Sequence, residues 1–407
     1  MNPEQLAALR AVEDGCNVFI TGSAGTGKSF LIHAIRDYAA EANKSIMITA
    51  LTGVAASLLG GRTIHSALML GLGKKTPEEM LQGIRMRGKS GPLGKWRALH
   101  MLVIDEISMM SAELFEKISA LLSLLRRNPA PFGGIQLILS GDFAQLPPVE
   151  GVFCFKSPHW TEAVHKTAIL TQLMRQATDP VFQAILEKAR RGKCPRSTWD
   201  ALVARMGQPL PEGIVPTVLF ATRKDADHVN ASSYAELKAS GAKEMVYSTA
   251  YGGRRVETTR NWAKNVDIPE TTALCIGAQV MLTANLDVEG GLVNGTRGIV
   301  TRLMRDSVEI QLVDGSKTLI PGKKHTDDTE TMHATYIPLK LAWAWTVHKS
   351  QGTSLDCAAV DLGPSMFAYG QAYTALSRVR DMGSLHIMDL AKASFKVDPD
   401  VKAFYGW

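Results

Sequence analysis

The chain has 407 residues, 45% of them apolar, and its 45 Lys and Arg against 39 Asp and Glu leave a net charge of +6. Such a length suits two or three domains of the usual ~100–200 residues, and the mild basic excess permits a polyanionic partner without demanding one. Five scattered cysteines without a CxxC pair point to neither a zinc site nor a disulfide framework; the lack of any stretch near the ~18 uncharged residues of a membrane span, or of an apolar leader, predicts no membrane partner.

Asn17 to Thr21 predicts a short buried strand that runs into a glycine-rich turn and then a helix beginning near Lys28. Further buried strands are expected at Ser45 to Ala50, Met101 to Ile104 and Ile135 to Leu139, the recurrence of a parallel sheet covered by helices. From Leu68 to Arg97 the chain is rich in Gly, Lys and Arg and shows no clean period, which reads as an accessory insertion with exposed basic groups. Leu114, Ile118, Leu121, Leu122 and Leu125 recur at helical spacing between Met109 and Asn128, and Pro129 and Pro131 end that helix.

A proline-rich stretch from Pro209 to Pro216 marks a change of domain before a predicted strand at Thr217 to Phe220. Between Gly298 and Pro321 the period falls to two: Val308, Ile310 and Leu312 share one face, and Asp314-Gly315 supplies a hairpin turn. From Leu339 onward strand and helix patterns return, so the β module is expected as an insertion within a second α/β domain.

The chemistry begins at Gly22-Ser23-Ala24-Gly25-Thr26-Gly27-Lys28-Ser29, followed by Phe30. A phosphate chain needs a loop without side-chain bulk, a helix N-terminus behind it and a cation on its outer oxygens. The three glycines supply the first, Lys28 the cation, and the Ser29 hydroxyl a ligand for Mg²⁺. Met101 to Glu106 is an apolar strand ending in two carboxylates; Asp105 suits Mg²⁺ held through water, and Glu106 a base for the water that attacks the γ-phosphate of ATP. Gln145, after the strand at Ile135 to Leu139, stands where an open α/β sheet binds ligands and is a candidate γ-phosphate sensor. Arg175 and Arg378 are candidates for the cation that offsets charge developing on the transferred phosphoryl group.

Taken in order, these segments resemble the 5′→3′ branch of superfamily-one helicases, most closely the Pif-one family and more distantly RecD and Dda. The resemblance spans nearly the whole chain: GSAGTGKS at Gly22, LTGVAA at Leu51, TIHS at Thr63, VIDEISM at Val103, LSGDFAQLPPV at Leu139, LMRQ at Leu173, GAQVML at Gly277 with GLVNGTRG at Gly291, VHKSQG at Val347 and YTALSR at Tyr373.

It implies an α/β fold of two RecA-like P-loop NTPase domains, the first at residues 1–175 and the second at 176–235 and 338–407. A wedge insertion would lie at about 68–97, and an SH3-like β module within the inserted region 236–337. It implies ATP and Mg²⁺ in a cleft between the domains, with Gln5 reading adenine and Arg175 and Arg378 as arginine fingers. Single-stranded DNA and single-strand/duplex junctions are the implied partners, contacted through Thr52, Gly53, His65, Thr346, His348, Lys349 and Ser350, whose hydroxyl, imidazole and ammonium groups suit phosphates and bases. The implied activity is 5′→3′ unwinding by a monomer in an intracellular compartment, cytoplasmic in a bacterial or phage setting. A single-strand translocase that displaces proteins and an RNA helicase are the alternatives, because phosphate and base-face contacts can be indifferent to the 2′-hydroxyl. Thr353 and Trp345 depart from the family pattern, which more often has a glutamine and a smaller apolar residue there.

Overall fold

The computed structural model describes residues 1–70, 75–86, 93–174, 179–209, 215–253, 255–266, 268–287, 290–327 and 331–407. The chain forms two compact units, one of residues 1–206, 350–356 and 362–407 and the other of 207–349 and 357–361.

The first unit is built on six parallel strands: β1 (Val18–Gly22), β2 (Ile46–Ala50), β3 (Arg62–Thr63), β4 (Met101–Asp105), β5 (Gln136–Gly141) and β6 (Lys166–Leu170), in the order β3-β2-β4-β5-β1-β6. Strands β1 and β4 are buried at every position, as their unbroken apolar runs require in a sheet covered on both faces. Val18, Ile20, Val103 and Ile138 pack with Leu31, Ile32 and Ile35 of the helix Lys28–Glu41. Each such side chain contributes roughly 1.5–3 kcal/mol on burial, which fixes the glycine-rich turn between β1 and that helix at the carboxyl end of the sheet. β4, β5 and β1 are consecutive neighbours in this parallel sheet, so the segments leaving their carboxyl ends converge on one rim.

The helix Ala112–Arg126 lies where its apolar period predicts, capped by Ser111. The described residues of the insertion after Leu68 form helices that its composition does not suggest. Pro77–Met86 is an amphipathic helix with Met80, Leu81 and Ile84 buried, and Thr76 and Glu79 exchange side-chain and backbone hydrogen bonds at its start. It and Leu93–Arg97, with Trp96 buried, pack against Ala112–Arg126. Residues 71–74 and 87–92 of the insertion lie outside the described residues.

The second unit contains strands β7 (Thr217–Phe220), β8 (Glu244–Ser248), β9 (Ala250–Gly253), β10 (Thr271–Cys275), β11 (Gln279–Leu282), β12 (Arg297–Leu303), β13 (Ser307–Leu312), β14 (Lys317–Pro321), β15 (Lys323–Thr326), β16 (Met332–Tyr336), β17 (Leu339–Leu341), β18 (Ala344–Thr346) and β19 (Ala358–Leu362). β18 and β19 flank β7 in parallel. A separate antiparallel sheet runs β14-β13-β12-β11-β17, with the β13–β14 hairpin turning at Asp314-Gly315. Val308 and Ile310 face its core with Val280, Val300 and Ile320, as the two-residue period predicts.

Candidate nucleotide site

The turn after β1 has the backbone only glycine supplies. Gly25 and Gly27 sit at φ 88° and 85°, and a Cβ on Gly22 would stand 2.2 Å from the Leu170 carbonyl oxygen. Lys28 donates through Nζ to the carbonyls of Gly22 (2.8 Å) and Ser23 (3.0 Å), folding back over the loop. Burial lowers its pKa, and Asp142, Glu106 and Asp105 oppose that shift. The lysine thus feels the charge of three carboxylates and has no side-chain acceptor among the described bonds.

A cavity of about 320 Å³ opens in front of the loop, lined by Ala24, Gly25, Gly27, Lys28, Ser29, Ala55, Leu58, Leu59, Asp105, Glu106, Gln145, Met174, Gly352 and Arg378. The structure therefore brings Lys28, Ser29, Asp105, Glu106, Gln145 and Arg378 to one space. Asp105, at the end of β4, is pushed up to about 7 by burial and then by the Glu106 carboxylate. Two adjacent carboxylates, Asp105 buried and Glu106 partly so, leave local negative charge at the cavity, and the Ser29 hydroxyl on the same wall makes the donor set fit a hard divalent cation.

Arg378 follows the short helix Gln371–Leu376 and is held wholly by protein acceptors. Its Nε donates to the Thr374 carbonyl (2.8 Å), Nη1 to the carbonyls of Ser350 (3.2 Å) and Thr353 (3.3 Å), and Nη2 to the Ser377 hydroxyl (2.7 Å) and, at 3.5 Å, to Gln145 Oε1. Burial lowers its pKa, with Glu106 opposing. Arg175 lies outside the described residues.

Gln5 is buried against the loop. Its Nε2 lies 3.5 Å from the Thr26 carbonyl oxygen, and a Cβ on Gly27 would meet the same amide at 2.5 Å. Its Oε1 accepts from the Asn2 N–H, closing a capping box on the first helix that the spacing Asn2-Pro3-Glu4-Gln5 encodes. Phe30 is exposed and is not part of the cavity wall.

The expected DNA residues fall into two groups. Thr52 caps the helix Gly53–Leu58 through its hydroxyl, Gly53 has open space at its Cα, and His65 on Ile64–Ala67 has its pKa lowered by burial. Ser350, in the same unit, is fully buried. In the second unit Thr346 is buried and accepts from the Lys349 N–H, burial lowers the His348 pKa, and Lys349 is exposed.

Behind the loop lies a polar cluster around Asp142, which the LSGDFAQLPPV resemblance marks together with Gln145 as coupling the γ-phosphate to DNA, but whose pairing with Arg190 and Tyr405 carries no signal in the sequence. Asp142, wholly buried after β5, pairs with Arg190 of the helix Pro180–Arg190 and accepts from the hydroxyls of Tyr373 (3.1 Å) and Tyr405 (3.4 Å). Tyr373 in turn accepts from the Ala24 N–H at 2.8 Å, and Tyr405 lies 2.7 Å from the Thr21 hydroxyl. Arg190 stacks over the rings of Tyr405 and Trp407 at 5.0 and 4.8 Å. Gln351 was missed as well; its Nε2 donates to Glu106 Oε2 at 2.8 Å, and its only sequence signal is its place in the VHKSQG block.

A parallel sheet with a glycine-rich loop, lysine, hydroxyl and paired acids on one rim defines a P-loop nucleoside-triphosphatase core. The PIF1-like helicase family model matches residues 1–198, and that of the DNA helicase Pif1 2B domain matches residues 269–303. The chain is 38% identical over its whole length to the ATP-dependent DNA helicase PIF1 of Danio rerio, and spans 63% of the length of that relative. The crystal structure of Pif1 helicase from Candida albicans superposes with a TM-score of 0.86 at 34% identity, covering 100% of this chain and 99% of that one. Bacteroides Pif1 bound to single-stranded DNA is similar at 25% identity and a TM-score of 0.71, covering 100% and 97%. The chain belongs to the PIF1-like helicase family, and its fold is that family's pair of RecA-like P-loop NTPase domains.

Proposed function

We propose that this chain is an ATP-dependent DNA helicase that hydrolyses Mg–ATP to move 5′→3′ along single-stranded DNA and open duplex at junctions. The observation that carries the reading is the convergence of Lys28, Asp105, Glu106 and Arg378 on one cavity beside the glycine loop. Names of relatives point the same way: the similar Danio rerio protein is an ATP-dependent DNA helicase, and Bacteroides Pif1 was crystallised on single-stranded DNA.

Loop amides and Lys28 hold the β- and γ-phosphates, and Gln5 stands at the loop edge for the base. Ser29 and Asp105 would hold Mg²⁺, which would supply positive charge to offset that of the phosphates. Glu106 takes a proton from the attacking water as its oxygen bonds to the γ-phosphorus, and the bond to the β–γ bridging oxygen breaks to give ADP and phosphate. Arg378 offsets the charge developing on that phosphoryl group, and Arg175 is assigned the same work. Gln145, 3.5 Å from Arg378 Nη2, reports whether the γ-phosphate is present.

In this reading the first RecA-like domain is residues 1–175 and the second 176–235 with 338–407. The antiparallel sheet within 236–337 is an SH3-like module, and residues 68–97 are the strand-separating wedge. Thr52, Gly53, His65, Thr346, His348, Lys349 and Ser350 form the DNA track, with exposed Lys349 on phosphate. One chain suffices, because the cation facing the cavity belongs to the same polypeptide as the loop. The test is strand displacement on duplexes carrying only a 5′ or only a 3′ tail, with DNA and RNA versions. ATP-dependent opening of the 5′-tailed DNA is expected; opening only of the 3′-tailed form, or none with brisk ATP turnover, rejects the assignment.

A further inference from the structure

We propose that Gln351 is a positioning residue for hydrolysis: its side-chain amide holds the Glu106 carboxylate with one oxygen free toward the nucleotide cavity. The inference rests on the ATPase reading of that cavity and adds a residue to it.

Glu106 leaves β4 in a left-handed conformation (φ 55°, ψ 39°), a backbone turn that by itself does not set where its carboxylate points. Gln351 sets it. Its Nε2 donates to Glu106 Oε2 at 2.8 Å and to the Ser108 hydroxyl at 3.3 Å, so both hydrogens of the amide are committed and the amide plane is fixed. Glu106 Oε1 is left beside Gly352, where a Cβ would stand 3.5 Å from it, and Gly352 and Glu106 both line the cavity. One oxygen is anchored and the other is presented.

Gln351 is itself fully buried, and its Oε1 has no hydrogen-bond partner among the described residues. An apolar side chain of similar volume would fill this place without leaving a carbonyl oxygen unpaired, so packing does not account for a glutamine. A charge-assisted bond to a carboxylate in a dry site does. The neighbouring peptides act on the second catalytic candidate, since the Ser350 and Thr353 carbonyls accept from Arg378 Nη1. A single loop, Ser350 to Thr353, thereby places both the base and the cation.

The test separates ATP turnover from nucleotide affinity on the full chain, with and without single-stranded DNA. Q351M removes the amide at nearly constant volume. Its kcat is expected to fall about 10–100-fold, while affinity for a non-hydrolysable ATP analogue stays within about threefold. Q351N keeps an amide in the loop but draws it back by one methylene, and is expected to lose turnover with folding intact. In an E106Q background Q351M should add no further loss, because the glutamine acts through that carboxylate. Turnover of Q351M or Q351N within about twofold of the parent beside an inactive E106Q overturns the proposal, as does a parallel loss of affinity or a multiplicative double variant. If E106Q itself turns over ATP like the parent, the ATPase assignment beneath it fails as well.

Discussion

Arg190 grips both carboxylate oxygens of Asp142, Nε on one at 2.9 Å and Nη2 on the other at 3.0 Å, in a place where Asp142 is wholly shut off from water. Burial alone would raise the Asp142 pKa; the charge of Arg190 and its hydrogen bonds outweigh this and hold it below the usual carboxylate range. A pair of this kind is costly to break from one side, since the survivor is a buried, uncompensated charge.

R190M should therefore destabilise the protein by about 3–5 kcal/mol, read as a lowered urea midpoint at neutral pH. The parent's sign follows from the depressed folded-state value: stability from this carboxylate is present above its unfolded pKa and is lost as pH falls through the lower folded one. R190M should begin to lose native signal at higher pH than the parent on acid titration. An unchanged urea midpoint and acid limb would show that the pair contributes little.

The Lys28 ammonium rests on two loop carbonyls. K28A should abolish ATP turnover, a loss of at least about 10²-fold, while the fold and single-strand binding persist. Turnover by coupled assay and DNA binding by anisotropy give the two readings; retained turnover contradicts the phosphate assignment.

Arg378 makes its bonds through a planar fork that reaches several carbonyls at once. R378K cannot reproduce that fork, so it should resemble R378A, with kcat reduced far more than ATP affinity. Full activity in R378K would mean that a point charge suffices.

Asp105 carries the opposite pH sign from Asp142. Its folded-state pKa of about 7 lies above its ordinary value, so its contribution to stability is complete in acid and is lost as pH rises through about 7. Without divalent cation the thermal midpoint should drop across that range, Mg²⁺ should restore it, and D105N should flatten the dependence. A Mg²⁺ effect that survives in D105N would place the cation elsewhere.

What was legible in the sequence is what local pattern encodes. Strands β1, β2, β4 and β5 announce themselves as apolar runs, and the glycine loop as a turn whose three glycines keep side-chain bulk away from a phosphate, because each depends on neighbours in the chain. β6 was not foreseen: Lys166, Thr167 and Ile169 are exposed on this edge strand, so it lacks the unbroken buried run of its neighbours. The helix Pro77–Met86 was legible in principle, through Thr76 and Glu79 and the spacing of Met80, Leu81 and Ile84, but the surrounding Gly, Lys and Arg masked it. Contacts such as Asp142 with Arg190, Gln351 with Glu106 and Tyr373 with Ala24 join residues far apart in sequence, and no periodicity can signal them.

The stacking of Trp407 on the Arg190 guanidinium gives the molecule an optical reporter of its own. The indole reads the guanidinium, the guanidinium is tied to Asp142, and Asp142 shares Tyr373 with an amide of the glycine loop. Occupancy at the sheet rim should therefore register as a change in Trp407 emission, without any dye attached.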